Sequence, residues 1–207
     1  MTRSMTSSLF VGVIAIAGVA TVAASGCKAT GVGDPCTPEQ EYNADFNGFS
    51  ADEVNVESKS FQCQTRLCLV NHFQGRVSCA YGQDADGNAP SKADPCKVPG
   101  STQVIDGKSN GQVVDPKKKA TVPPQCTDRK AANTVYCSCR CSNINGATDD
   151  GAVYCKCPEG FECKQLVTSI GQGNEGLTGG YCIKNGTNYD SNNACGNTCD
   201  PTTQKCD

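Results

Sequence analysis

The sequence predicts a small, disulfide-rich fold of short β-hairpins and loops, with little helix outside an N-terminal signal peptide. Three observations lead to this fold class. The chain begins with an export signal, it contains 17 cysteines, and only 26 residues after position 26 are Leu, Ile, Val or Phe. So few large apolar groups cannot offset the entropy of ordering the chain, and disulfide bridges of about 2–4 kcal/mol each are the natural substitute.

The export signal occupies residues 1–26. A polar start with one basic residue, Arg3, precedes an uncharged apolar run from Leu9 to Ala24. This run is shorter than the roughly twenty residues that a membrane-spanning helix needs, and no basic patch follows it. We therefore predict a signal peptide, which also places the protein in an oxidising compartment where disulfides persist.

The end of the signal, Ala24-Ser25-Gly26-Cys27, resembles the lipobox of bacterial lipoproteins, although that family usually has Leu at the position of Ala24. The resemblance implies cleavage before Cys27 and a lipid on its sulfur, and hence a location in the cell envelope, at the outer membrane or cell surface. Ordinary cleavage after Ala24 or Gly26 stays open as an alternative. Because 17 is odd, a lipid on Cys27 leaves sixteen cysteines for eight bridges.

The predicted mature chain carries 17 basic and 21 acidic side chains, so its formal charge is −4. This balance predicts neither nucleic acid nor an anionic membrane surface as a partner. The membrane contact that we expect is through the lipid anchor, and the expected partner is an envelope protein or a glycan.

Cysteine spacing predicts the organisation of the mature chain. After a tether at residues 27–35, we expect an N-terminal cysteine module at 36–81, a linker at 82–95 rich in Gly, Asp and Asn, and a C-terminal module at 96–207. The modules contain four and twelve cysteines, so each can close its own bridges, although the connectivity stays open. The predicted disulfide cysteines are Cys36, Cys63, Cys68, Cys79, Cys96, Cys126, Cys137, Cys139, Cys141, Cys155, Cys157, Cys163, Cys182, Cys195, Cys199 and Cys206.

The densest apolar group of the first module includes Phe61, Leu69 and Phe73. The alternation at 68–70 and the segment 76–79 favour short strands around a turn at 74–75. The segment FQCQTRLCLVNHFQGRVSC, residues 61–79, is similar to one in uncharacterised cysteine-rich lipoproteins of myxobacteria-type bacteria. That resemblance implies a location in the envelope and says nothing of activity.

An internal repeat, VYCSC at 135–139 and VYCKC at 153–157, predicts a β-hairpin. Both segments alternate, and the stretch between them contains Asn-Gly and Asp-Gly turn signals. We expect residues 135–141 and 153–157 to pair as antiparallel strands. Tyr136 and Tyr154 would then share one face, where they are candidate binding residues.

The segment CKCPEGFEC, residues 155–163, resembles the closing part of epidermal-growth-factor-like modules, which implies a binding role. We predict no catalytic residue, metal or cofactor. The only histidine, His72, lies near no nucleophile motif, and the Cys-x-Cys pairs are expected to form disulfides in preference to a zinc or copper site.

The sequence therefore predicts a non-enzymatic, lipid-anchored envelope protein with a structural or adhesive role. An extracellular binding module that recognises a protein or glycan is the alternative, and a redox or hydrolytic enzyme is the third. A binding module should present an exposed aromatic cluster, whereas a structural element need not.

Overall fold

Two small antiparallel sheets and many turns make up the computed structural model, which describes residues 31–84, 95–105, 120–167 and 175–206. The first sheet has the order β1-β2-β3 and the second β4-β6-β5. The strands are β1 Val54–Glu57, β2 Cys68–Asn71, β3 Val135–Cys137, β4 Arg140–Ser142, β5 Phe161–Val167 and β6 Gly179–Lys184. One helical turn, α1 Ala131–Thr134, and three 3₁₀ turns at Glu39–Tyr42, Glu175–Leu177 and Ser191–Asn193 complete the described elements. The predicted fold class, disulfide-rich with short strands and little helix, is confirmed.

Strand β2 lies at the centre of the first sheet and is buried along its whole length. Successive side chains of a strand point to opposite faces, and β2 uses both. Val70 packs with Phe49 and Phe73 on one side, while Leu69 packs with Tyr136, Tyr181 and Ile183 on the other. The strand predicted at 68–70 is thus confirmed, and it is the element on which two apolar clusters meet. The second strand, predicted at 76–79, is wrong, because these residues form a tight turn closed by an isolated bridge between Arg76 and Cys79.

Eight disulfides link the strands and loops, and together they use all sixteen cysteines expected to pair. The pairs are Cys36–Cys68, Cys63–Cys137, Cys79–Cys96, Cys126–Cys195, Cys139–Cys155, Cys141–Cys163, Cys157–Cys182 and Cys199–Cys206. Eight of these cysteines are less than 4% exposed, so the bridges form much of the buried interior. They take the place of the large apolar side chains that the sequence lacks.

The expectation that each cysteine module closes its own bridges is wrong. Cys63–Cys137 and Cys79–Cys96 both join the segment 36–81 to the segment after residue 95. The two segments also share a sheet, because β2 pairs with β3 in the register Cys68↔Cys137 and Leu69↔Tyr136. An even number of cysteines permits closure within a module but does not favour it over pairing through a shared sheet. Residues 85–94 of the expected linker lie outside the described residues.

The predicted hairpin of residues 135–141 and 153–157 is also wrong. Residues 135–137 pair with β2, residues 140–142 pair with β6, and residues 153–157 form no strand. Cys155 still lies beside β4, since its backbone N–H donates to the Arg140 carbonyl at 3.0 Å and its sulfur is bridged to Cys139. Strand β2 offers Tyr136 an apolar partner, Leu69, and a fully buried site, whereas residues 153–157 lie at the surface, where Val153 is 97% exposed.

Candidate functional site

An exposed aromatic groove lies between the 3₁₀ turn Glu39–Tyr42 and the connection from β1 to β2. It has a volume of about 340 Å³ and is lined by Thr37, Glu39, Tyr42, Glu57, Lys59, Phe61 and Gln62. Tyr42 is 52% exposed and Phe61 is 85% exposed. We call this surface the aromatic groove. In a chain with so few large apolar groups, two aromatic rings beside one hollow stand out as a binding surface.

The Phe61 side of the groove is a tight turn next to a bridged cysteine. Within it the Ser60 N–H donates to the Arg66 carbonyl at 3.1 Å, and the Arg66 N–H donates to the Cys63 carbonyl at 2.9 Å. Arg66 has a φ of 62°, and its guanidinium lies 4.2 Å from the centre of the Phe61 ring. The ring is therefore contacted by Arg66 on one side and held on a backbone that is closed by hydrogen bonds.

A glutamine side chain joins the two sides of the groove. Gln62 accepts a hydrogen bond from the Thr37 N–H at 3.0 Å and donates one to the Thr37 carbonyl at 2.7 Å. Thr37 follows Cys36, which is bridged to Cys68 of β2. This reciprocal pair holds the chain entering the 3₁₀ turn against the turn that carries Phe61.

The Tyr42 side depends on a buried ion pair. The Arg76 Nε lies 3.4 Å from a carboxylate oxygen of Glu41, and both side chains are 0% exposed. The same carboxylate accepts hydrogen bonds from the Val77 N–H at 2.7 Å and the Ser78 hydroxyl at 2.6 Å. Arg76 also donates to the carbonyls of Glu41 and Phe46. Burial lowers the pKa of Arg76, while the carboxylate of Glu41 opposes that shift. This pair anchors the turn that places Glu39 and Tyr42 at the groove.

Two acidic residues that line the groove, Glu39 and Glu57, are in contact. The Glu39 N–H donates to the Glu57 carboxylate at 3.0 Å. Burial raises the pKa of Glu57; the hydrogen bond from Glu39 acts in the opposite direction, and the negative charge of Glu39 adds to the rise. Lys59 lines the groove as well, and Arg66 covers Phe61, so two cations accompany the two carboxylates.

A second hollow of about 450 Å³ adjoins the aromatic groove. Its lining includes Glu39, Gln40, Tyr42 and Asn43, so Glu39 and Tyr42 belong to both hollows. A ligand that occupies both would pass beside the Tyr42 ring. The two volumes fall in the lower part of the range typical of small-molecule sites.

The candidate binding tyrosines do not share a surface. Tyr136 is fully buried, and its hydroxyl accepts a hydrogen bond from the Lys184 N–H at 3.0 Å. Burial raises the pKa of Tyr136. Tyr154 is half-buried, and its hydroxyl donates to Asp150 at 2.7 Å. The expectation that the two rings present one patch is therefore wrong.

The contacts of His72 hold two segments of the chain together. Its Nδ1 lies 3.0 Å from the Ala51 carbonyl, and its ring stacks on Tyr189 with the ring centres 3.7 Å apart. The Tyr189 hydroxyl donates to Asp52 at 2.7 Å. Burial lowers the pKa of His72. These contacts join the 185–190 segment to the end of β2.

Neighbouring disulfides bring cysteine sulfurs into three close groups. Cys139, Cys155 and Cys182 form one of these groups, and the Cys182 sulfur lies 3.7 Å from each of the other two. Every sulfur in the three groups belongs to a bridge, and a bridged sulfur is not the thiolate that binds zinc or copper. The groups are thus contacts between stacked disulfides.

Sequence reasoning missed the aromatic groove. It counted Phe61 in the densest apolar group of the first module and did not single out Tyr42. The signal that was available is local, since Phe61 is flanked by the polar residues Ser60 and Gln62 and the mature chain has few aromatic residues from which to choose. Cys27, the predicted lipid site, lies outside the described residues, as does the predicted signal peptide.

No known protein family, curated protein or solved structure matches this chain. Across the described ranges, no helix has the length and apolar character needed to cross a membrane.

Proposed function

We propose that the protein is a lipid-anchored envelope protein with an adhesive role, and that it binds an extracellular partner through the aromatic groove. The observation that carries the binding role is the 85% exposure of Phe61 beside Tyr42 in a hollow whose walls are held by hydrogen bonds and disulfides. Exposed aromatic rings on a rigid surface are typical of binding sites, because little conformational entropy is lost when they are covered.

The proposed location rests on the sequence alone. The export signal and the Ser25-Gly26-Cys27 sequence support acylation of Cys27. Cys27→Ser should move the protein from the membrane fraction to the soluble fraction, because the several acyl chains of a lipoprotein are needed for lasting attachment. Recovery of wild-type protein with an unmodified N-terminus at Ser25 would exclude the lipid anchor.

An adhesive role requires the aromatic groove for binding to the envelope, whereas a purely structural role does not. Purified Cys27→Ser protein should bind envelope preparations, and Phe61→Ser should weaken this binding at least tenfold. Val153→Ser is the matched control, since Val153 is an apolar side chain that is 97% exposed and does not line the groove. Equal binding by the Phe61 and Val153 variants would exclude the adhesive role and favour the structural one.

A further inference from the structure

The charges around the aromatic groove balance. Glu39 and Glu57 contribute two negative charges, and Lys59 and Arg66 contribute two positive charges. A strongly anionic ligand would meet the two carboxylates, and a strongly cationic one would meet the lysine and the guanidinium. Electrostatic complementarity therefore favours a ligand without net charge.

The Phe61 ring indicates what such a ligand presents to the protein. The face of an aromatic ring is electron-rich and attracts groups with partial positive charge. Arg66 already lies over this ring at 4.2 Å, so a second cation would be repelled by the first. Weakly polarised C–H groups avoid this repulsion, and the remaining open surface of the ring can pack against them.

The polar groups of the groove are suited to hydroxyls. The carboxylates of Glu39 and Glu57 are acceptors, and a hydroxyl that donates to a carboxylate forms a short, charge-assisted hydrogen bond. Lys59 is a donor to hydroxyl oxygens. A ligand with an apolar C–H face and hydroxyls at its rim combines both requirements, and a pyranose ring has this shape and chemistry.

The second hollow extends the site past one sugar unit. Glu39 and Tyr42 belong to both hollows, and Tyr42 is 52% exposed between them. A chain of sugar units could place one unit against Phe61 and the next beside Tyr42.

We propose that the aromatic groove binds a neutral oligosaccharide, with one sugar ring stacked on Phe61 and its hydroxyls donating to Glu39 and Glu57. This inference rests on the adhesive role proposed above and adds the chemical class of the partner. It predicts that affinity grows with chain length and falls when either aromatic ring is removed.

The direct test is calorimetric titration of the Cys27→Ser protein with neutral, acidic and amino oligosaccharides of one to four units. We expect the neutral series to bind, with a tetrasaccharide at least tenfold tighter than a monosaccharide. Phe61→Tyr should retain binding because it keeps the ring, whereas Phe61→Leu should lose at least tenfold, and Val153→Leu should change nothing. Preference for the acidic or the amino series, or equal loss with Tyr and Leu, would overturn the inference.

A second measurement separates the two proposals. Envelope preparations are treated either with periodate, which cleaves sugar diols, or with protease, before binding is measured. Loss after periodate only supports the oligosaccharide. Binding that requires Phe61, survives periodate and is lost after proteolysis identifies a protein partner, which overturns the sugar inference and leaves the adhesive role standing. Binding that does not require Phe61 overturns both. Circular dichroism and thiol alkylation without reductant show whether each variant is folded and bridged.

Discussion

Glu41→Gln tests whether the buried ion pair with Arg76 holds the groove in place. Glutamine has nearly the shape of glutamate and keeps one acceptor oxygen for the Val77 N–H. It removes the charge, however, and leaves the fully buried guanidinium of Arg76 without its counterion. Breaking a buried pair in this way costs about 3–5 kcal/mol, since the remaining charge is neither solvated nor paired.

A double-mutant cycle separates pairing from packing. Arg76→Met should cost a similar amount, because it removes the partner of Glu41 and the hydrogen bonds to the Glu41 and Phe46 carbonyls. The double variant should cost less than the sum of the two single variants, because no unpaired charge is left in it. A surface pair provides the control. Lys164 and Glu162 are 3.8 Å apart and partly exposed, so Glu162→Gln should cost no more than about 1 kcal/mol.

Urea unfolding with the disulfides intact measures these free energies, followed by circular dichroism because the chain has no Trp. Additive effects, with a coupling energy near zero, would refute the argument that Glu41 and Arg76 act as a pair. If the pair anchors the turn Glu39–Tyr42, Glu41→Gln should also weaken binding to envelope preparations, although Glu41 itself is fully buried and does not line the groove.

Three further predictions concern the rest of the molecule. Thiol alkylation of the denatured, unreduced mature protein should label no cysteine other than an unlipidated Cys27, and two or more additional labelled thiols would contradict the eight bridges. Asp150 accepts bonds from the Tyr154 hydroxyl and the Asn143 amide, which lower its pKa from 3.8 to about 2. Its contribution to stability is present above the unfolded-state pKa of 3.8 and is lost as the pH falls through the folded-state pKa of about 2, so Asp150→Asn should be less stable than wild type at pH 5, and the difference should disappear only well below pH 2. Replacing the Cys63–Cys137 bridge by alanines should cost about 4 kcal/mol in the chain-entropy estimate, since it closes a separation of 74 residues. A biphasic unfolding curve for the wild type would instead indicate two independent modules.

The fold class could be predicted from composition, because it depends on how many cysteines and how few large apolar residues the chain contains in total. A mature chain with little Leu, Ile, Val and Phe and much cysteine can be stabilised in few ways, whatever the order of its residues. Strand β2 was also predictable, since residues 68–70 alternate and are β-favouring. Both inferences use information that is local or summed over the chain.

Pairing was not predictable, because it depends on contacts between distant residues. The repeat at 135–139 and 153–157 suggested two partners, yet the partner of residues 135–137 is β2, more than sixty residues earlier in the chain. Tyr136 illustrates the consequence. Its position in the repeat predicted an exposed ring, but pairing with Leu69 and the contact with Tyr181 bury it completely. Phe61 was grouped with the apolar residues of the first module, and the sequence did not show that its ring is largely exposed.

The positions of the bridges explain how so small a core can support an exposed binding surface. Thr37 follows Cys36, and Phe61 and Gln62 precede Cys63; both of these cysteines are at most 3% exposed and bridged to the central sheet. Thr37 and Gln62 are thus one residue, and Phe61 is two residues, away from a covalent attachment to β2 or β3. A side chain held in this way can remain exposed without the apolar packing that would otherwise fix its backbone. Such preorganisation reduces the entropy lost on binding, and a chain this poor in aromatic residues can therefore place Phe61 on its surface and not in its core.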